Sequence, residues 1–384
     1  MRILQVSPYF YPYVGGQERY VYELSKKLTE YGHEVTIFTS NFPKKKAFEV
    51  TNDIEVHRFE IIGRPLRNPI APGLLFSIIK EMEDFDVVHA HNEHGFTTLL
   101  CALVKTVKGK TPLIISCHGQ LKFNNLLKDF IEHIYSRFLG TMIFESADAI
   151  IALSPSDKRY ISSFGINQRK VKVIPNAVDP SKLPAFQRFD SALLRRIGFE
   201  GRRVVLFVGP IIKRKGVDTL LSAIPQVVKE HRDVRFVFTG DGDFKEKAFE
   251  IANHLNVEDF VCFTGRLTEE ELYQAYQLSE LVVLPSVSEG VPTSILEAFA
   301  FFKPVISTKI PGVQDYFGEV AHLVNPRSVG ELSSAIITLL DDGKLAKRIG
   351  EMGRELVEKY FTWDVVAAKI LEVYYNVLNN EVSL

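Results

Sequence analysis

The chain has 384 residues, too many for one ordinary core, and domains of roughly 100 to 200 residues make two the first expectation. An apolar share of 46% and a charged share of 24% suit a soluble globular enzyme and exclude a disordered or fibrous chain. Lys plus Arg number 46 against 47 Asp plus Glu, so no overall positive charge is available to hold nucleic acid, and any anionic ligand must be met by local groups.

Short Val/Ile-rich runs alternate with helical patterns over nearly the whole length, which predicts parallel strands covered by helices on both faces, an α/β chain. The first strand, Ile3–Ser7, lacks a signal peptide's long apolar stretch, and the chain is expected to be cytoplasmic. After it come the loop Pro8–Val14, the pair Gly15-Gly16 and a helical run whose Tyr20, Val21, Leu24 and Leu28 share a face. Glycines ahead of a helix let a phosphate approach the backbone amides; an ordinary strand-to-helix turn is the alternative.

Further strands are predicted at Val35–Thr39, Glu55–Phe59, Val87–His89, Leu113–Cys117, Ala149–Leu153 and Val171–Ile174. His89, His91 and His94 cluster after one of them, but no acidic or cysteine partner stands at a recognisable metal spacing, so no metal site is expected. His118, at the end of another strand, is the better functional candidate, able to bond a substrate hydroxyl. Cys101, Cys117 and Cys262 lie far apart and form no CxxC pair, which argues against a disulfide framework and fits a reducing compartment. The run 122–144 is both apolar and basic, and reads either as a core-facing amphipathic helix or as a contact for a lipid-linked acceptor. Peripheral contact with the inner face of a membrane stays open, since no window is long and apolar enough to span one.

The stretch Asp179–Asp190, with Pro180 and Pro184, reads as a linker. Beyond it, strands are predicted at Val204–Val208, Arg235–Thr239, Val261–Thr264, Leu281–Leu284 and Val305–Ser307, a second doubly wound sheet. The turn Gly209-Pro210-Ile211-Ile212-Lys213-Arg214-Lys215-Gly216 puts three cations just before a helix, at the sheet edge where open α/β domains bind ligands, and suits a diphosphate. Asp241-Gly242-Asp243 reads as a strand-to-helix turn rather than a metal site. In Pro285–Ala298, a loop turns through Gly290 and Pro292 into a helix that Thr293 is expected to cap. That places Glu289 in the loop and Glu297 about one turn into the helix, where their carboxylates could accept sugar or ribose hydroxyls. A last helix is predicted over Asp364–Leu378.

Several of these segments occur together in one order: Gly15-Gly16, Gly32-His33-Glu34-Val35, His89-Ala90-His91, His118, Pro175-Asn176-Ala177-Val178-Asp179, Arg214-Lys215-Gly216, Glu289 with Glu297, and Phe361-Thr362-Trp363. In this the chain resembles the family 4 retaining glycosyltransferases of the GT-B fold, in which two Rossmann-like domains face each other across a cleft. The resemblance implies an acceptor-side domain over 1–185 joined by the last helix, 362–384, and a nucleotide-sugar-binding domain over 186–361. It implies roles position by position: the Gly16 amide and Lys215 on the donor diphosphate, Glu297 on the ribose, Glu289 and the amides of Gly290, Val291, Pro292 and Thr293 around the donor sugar, and His118 near its reacting end. Arg214, Gly15, Gly209 and Arg266 complete the expected donor site.

The implied reaction moves a sugar from a nucleotide-sugar to a hydroxyl of a glycan, glycolipid or small polyol, without metal or cofactor. Three departures stand out: Gly209-Pro210 where relatives often have Gly-Arg, with Arg214 a replacement; Val291-Pro292 where Phe-Gly is frequent; and Pro311-Gly312-Val313-Gln314-Asp315 in place of a Gly-Gly segment ending in glutamate. A nucleotide-sugar epimerase, a sugar phosphorylase and a non-catalytic sugar-binding protein are the alternative readings. The donor base, the donor sugar, the acceptor, the linkage and the oligomeric state are not legible in the sequence.

Overall fold

The computed structural model describes residues 1–13, 15–65, 68–118, 139–182, 189–199 and 201–379. Most of the apolar and basic run, 122–138, and the middle of the linker stretch, 183–188, lie outside the described residues. The chain divides into two units: Met1–Asn176 with Trp363–Leu384, and Ala177–Thr362.

In the first unit the described strands are β1 (Arg2–Ser7), β2 (Glu34–Ser40), β3 (Phe48–Thr51), β4 (Ile54–Phe59), β5 (Val87–His91), β6 (Leu113–Ser116), β7 (Ala149–Ala152) and β8 (Val171–Val173). They lie in the order β3-β4-β2-β1-β5-β6-β7-β8. Every pairing is parallel except β3 with β4. The runs read from sequence fall on seven of these strands. The missed one, β3, is a short hairpin partner of β4, joined through Asn52 and Asp53, which both take positive φ, as a tight turn between antiparallel strands requires.

Parallel strands are buried on both faces, and β1, β5 and β6 carry almost no exposed residue after Arg2. The order reverses at β1, so the loops that leave β1 and β5 flank a crevice at the strand ends. The helix Trp363–Leu378 belongs to this unit although 177–362 intervene, and buries Trp363, Val366, Ile370, Tyr374 and Val377.

The second unit holds β9 (Arg203–Val208), β10 (Val234–Thr239), β11 (Val261–Gly265), β12 (Ser279–Leu284), β13 (Val305–Thr308) and β14 (His322–Val324) among its described residues. Their order is β11-β10-β9-β12-β13-β14, all parallel. The three-residue β14 is too short to announce itself in a hydropathy pattern. Here the order reverses at β9, so the turn after β9 and the loop after β12 flank the crevice of this sheet. Among the described residues no helix is long and apolar enough to cross a membrane.

Candidate active site

The two loops at the second unit's switch point are tied to each other. Lys213–Lys215 form one turn of 3-10 helix, closed by Gly216 at φ +71° before the helix Val217–Glu230 begins. A Cβ on Gly216 would stand 2.0 Å from the Pro285 carbonyl oxygen, so only glycine permits both the left-handed conformation and this approach. Val287 N–H donates to the Arg214 carbonyl at 2.9 Å, and the Arg214 guanidinium donates to the Ser288 carbonyl at 2.7 Å.

This stitching brings Lys215 Nζ to 2.7 Å from Glu289 Oε1, and Arg214 to 3.7 Å from Oε2. Lys215 is only 8% exposed. Its aliphatic chain runs past Gly209, where a Cβ would lie 3.7 Å from Lys215 Cε. Burial pushes the Glu289 carboxyl up, but the neighbouring charges of Lys215 and Arg214 outweigh it and hold the group below its ordinary value. Hydrogen bonds from Lys215 and from the Ser286 hydroxyl act in the same direction, so the buried carboxylate has both a charge partner and directed donors.

The helix Thr293–Ala300 starts one residue earlier than the sequence reading implied. Thr293 is its first helical residue and does not cap it; Pro292 holds the cap position, without a side-chain hydrogen bond. A prolyl side chain has no acceptor to offer, which is why the cap is absent. Glu297 sits one turn in and is 5% exposed, and the Tyr276 hydroxyl donates to its Oε2 at 2.8 Å. The segment after β13, one of the sequence departures, is the short helix Pro311–Phe317. Its Gly312 packs where a Cβ would lie 2.1 Å from the Gly290 carbonyl oxygen, so this departure supports the Glu289-Gly290 turn from beneath. Val291 is buried. Arg266 is exposed just past β11, at the far edge of the sheet, and its carbonyl accepts from Arg196 at 3.0 Å. The structure therefore gathers Gly209, Arg214, Lys215, Glu289 and Gly290, sets Glu297 beside Tyr276, and leaves Arg266 apart.

In the first unit Gly15 caps the helix Gly16–Glu30, and space around Gly16 is open. Glu18 folds back so that its Oε2 lies 2.3 Å from where a Gly15 Cβ would stand, and burial raises its carboxyl to about 7. His118 follows β6; its backbone N–H donates to Glu93 at 3.3 Å and its ring meets Tyr20 edge-on at 5.2 Å. His91 lies 3.2 Å from His118, and the rings of His89 and His91 are 4.2 Å apart. Glu93, Glu18, Tyr276 and Tyr374 all touch residues singled out from sequence but were not themselves singled out, since only tertiary packing brings them there.

Burial lowers His89 to about 3 and His118 to about 4, and His91 well below its ordinary value, so all three are neutral at pH 7. A histidine whose pKa is depressed on folding stabilises fully above the unfolded value of 6.5 and loses that contribution as pH falls toward the folded value. Glu18, raised on folding, acts in the opposite sense but is one group against three. The melting temperature is therefore expected to drop steadily between about pH 6.5 and pH 4. A melting temperature that rises over that interval contradicts the buried neutral histidines.

Two doubly wound sheets, one carrying a cationic turn and buried carboxylates at its switch point, are the architecture of the GT-B class. The family model for Glycosyltransferase Family 4 matches residues 14–182 and that for Glycosyl transferases group 1 matches residues 192–356. The chain belongs to the group 1 glycosyltransferases with a family 4 N-terminal domain, and is a glycosyltransferase of the GT-B fold. It is 24% identical to N-acetyl-alpha-D-glucosaminyl L-malate synthase of Bacillus anthracis, covering 98% of both chains. It is also 24% identical to the MMP alpha-(1->4)-mannosyltransferase of Mycolicibacterium hassiacum, covering 97% of this chain and 98% of that one. The crystal structure of Anabaena Alr3699/HepE in complex with UDP superposes with a TM-score of 0.80 at 19% identity, over 98% of this chain and 100% of that one, a likeness of fold.

Proposed function

We propose that the chain is a retaining, metal-independent hexosyltransferase that moves a sugar from a nucleoside-diphosphate-sugar to an acceptor hydroxyl. The observation that carries this reading is Glu289: a buried carboxylate at the switch point of the second sheet, held against the cations Lys215 and Arg214. A sugar hydroxyl shares this carboxylate, whose two oxygens accept several hydrogen bonds, and the adjoining diphosphate takes the cations. Glu297 fits ribose hydroxyls, and the amides of Gly290, Val291 and Thr293 border the sugar. The roles of His118 and of the Gly15 and Gly16 amides belong to the same proposal; Arg266, at the far edge of the sheet, is given no part in it.

As the glycosidic bond breaks, charge develops on the leaving phosphate oxygen, and Lys215 and Arg214 stabilise it electrostatically. The acceptor hydroxyl attacks from the face the leaving group departs, and the phosphate oxygen takes its proton, so no protein general base is assigned. The UDP in the Anabaena structure supports a nucleotide-sugar donor. With the family assigned, the epimerase, phosphorylase and binding-protein alternatives lose their basis.

The cationic turn takes the place that a divalent ion's charge would occupy on the diphosphate, so transfer is expected to survive EDTA. Among the described residues no group of three or more His, Cys, Asp or Glu side chains is arranged to hold a metal ion. The test is the anomeric configuration of the product, read by NMR in the presence of chelator. Inversion overturns the same-face mechanism. Activity lost in EDTA and restored by magnesium or manganese overturns metal independence and turns attention to Asp241 and Asp243.

A further inference from the structure

A buried chain of polar side chains runs through the first unit from the last helix to His118. The Tyr374 hydroxyl lies 2.7 Å from His89 Nδ1 and 3.2 Å from Gln5 Nε2; His89 Nε2 lies 2.7 Å from Ser116 Oγ. Gln5 Oε1 lies 2.6 Å from His91 Nε2, and His91 Nδ1 lies 3.2 Å from His118 Nε2. Gln5, His89, His91, Ser116 and Tyr374 are all fully buried.

The donor capacities of these groups leave no freedom once the Gln5 amide is oriented. Its Oε1 can only accept, so His91 Nε2 carries a proton. A neutral His91 then has a bare Nδ1, which accepts, so His118 must carry its proton on Nε2 and keep Nδ1 as an acceptor. At the other end Gln5 Nε2 donates to the Tyr374 oxygen, which sends its single O–H to His89 Nδ1, and His89 Nε2 donates to Ser116. Turning the Gln5 amide over would reverse every donor along the chain, so the tautomers of His89, His91 and His118 change together or not at all. The histidines are neutral because they are buried, as their depressed pKa values agree.

We infer that Tyr374, on the chain's last helix, is a positioning residue that couples His89 to His118 through Gln5 and His91, and that with the Gln5 amide oriented as in this structure His118 is the Nε2–H tautomer, with Nδ1 presented as a hydrogen-bond acceptor. This rests on the reading of His118 as a participant in sugar transfer. It gives the last helix a role beyond packing: its hydroxyl, which can donate or accept, ties the tautomer of His89 to the amide on which the proton of the His118 ring depends. An acceptor nitrogen suits a sugar hydroxyl, which can donate to it; the other tautomer presents an N–H and leaves that hydroxyl to find a different partner.

The test is nitrogen-15 NMR of the histidine rings in the full chain, comparing the wild type with Tyr374→Phe, together with steady-state kinetics on both. The wild type is expected to show His118 protonated on Nε2. In Tyr374→Phe the amide is no longer held, a second tautomer appears at His118, and kcat falls by about tenfold while KM for the donor stays within about twofold, as for the loss of a group that orients a working histidine. Gln5→Leu, which removes the oxygen that His91 addresses, gives the same second tautomer and serves if Tyr374→Phe does not fold. His118 protonated on Nδ1 in the wild type overturns the proposal, and so does an unchanged tautomer in both variants, whatever their turnover. A changed tautomer with unchanged turnover upholds the control of the ring by Tyr374 and removes His118 from the reaction, a failure of the functional reading alone.

Discussion

Lys215→Ala is expected to lower kcat by about 10²- to 10³-fold, the effect of removing one preorganised group that stabilises developing charge. It is also expected to destabilise the second unit by about 3–5 kcal/mol, because Glu289 would remain buried without its nearest countercharge. The two effects separate experimentally. Lys215→Arg keeps the charge and recovers most of the stability, whereas its planar fork does not reproduce the position of a single ammonium, so turnover recovers less. Titration of nucleoside diphosphate by calorimetry together with a denaturation curve for each variant checks both. Unchanged affinity and unchanged stability in Lys215→Ala would remove the residue from the donor site and break the ion pair's assigned role.

The second large effect distinguishes the two glutamates. Glu289→Gln removes the charge that neutralises Lys215 and Arg214, so those cations become more available to a free diphosphate. Nucleotide affinity is expected to rise while turnover of the donor falls by about 100-fold, near 2.7 kcal/mol, since a contact that strengthens as the sugar reacts appears in kcat. Glu297→Gln should act differently. In the proposed function its carboxylate takes hydroxyls of the ribose, a contact nearly uniform between ground and transition states, so affinity for the nucleotide and for the donor is expected to fall by a similar factor while kcat changes little. A nucleotide affinity that falls equally in both variants contradicts this division, and full turnover in Glu289→Gln takes that residue out of the active site.

The alternation of strands and helices was legible because buried parallel strands must be apolar on both faces, and the two loops at the second switch point were legible because glycine, lysine and glutamate occur there in a recognisable order. What could not be read was the pairing. Nothing local in Arg214-Lys215 or Ser288-Glu289 says that the two turns share a charge; the parallel placement of β9 beside β12 does that. Tyr374 illustrates the same limit: helical spacing foretold a buried face over the last helix, but a tyrosine on an apolar face reads as core until Gln5 and His89 are found around its hydroxyl. Thr293 shows the opposite error, since a residue of good capping type stood next to a helix start whose cap position the chain gives to Pro292. Gly312 read as an unexplained departure because its reason, the Gly290 carbonyl, lies on another loop.

The central claim, that the switch point of the second unit binds and activates a nucleotide-sugar, is tested most directly by incubating the purified chain with a panel of UDP-, GDP- and ADP-sugars and measuring the nucleoside diphosphate released. One donor class is expected to release it slowly without an acceptor, in EDTA as well as in buffer, and that release is expected to be lost in Lys215→Ala. Release from none of the donors, or release of equal rate from the Lys215→Ala variant, contradicts the account.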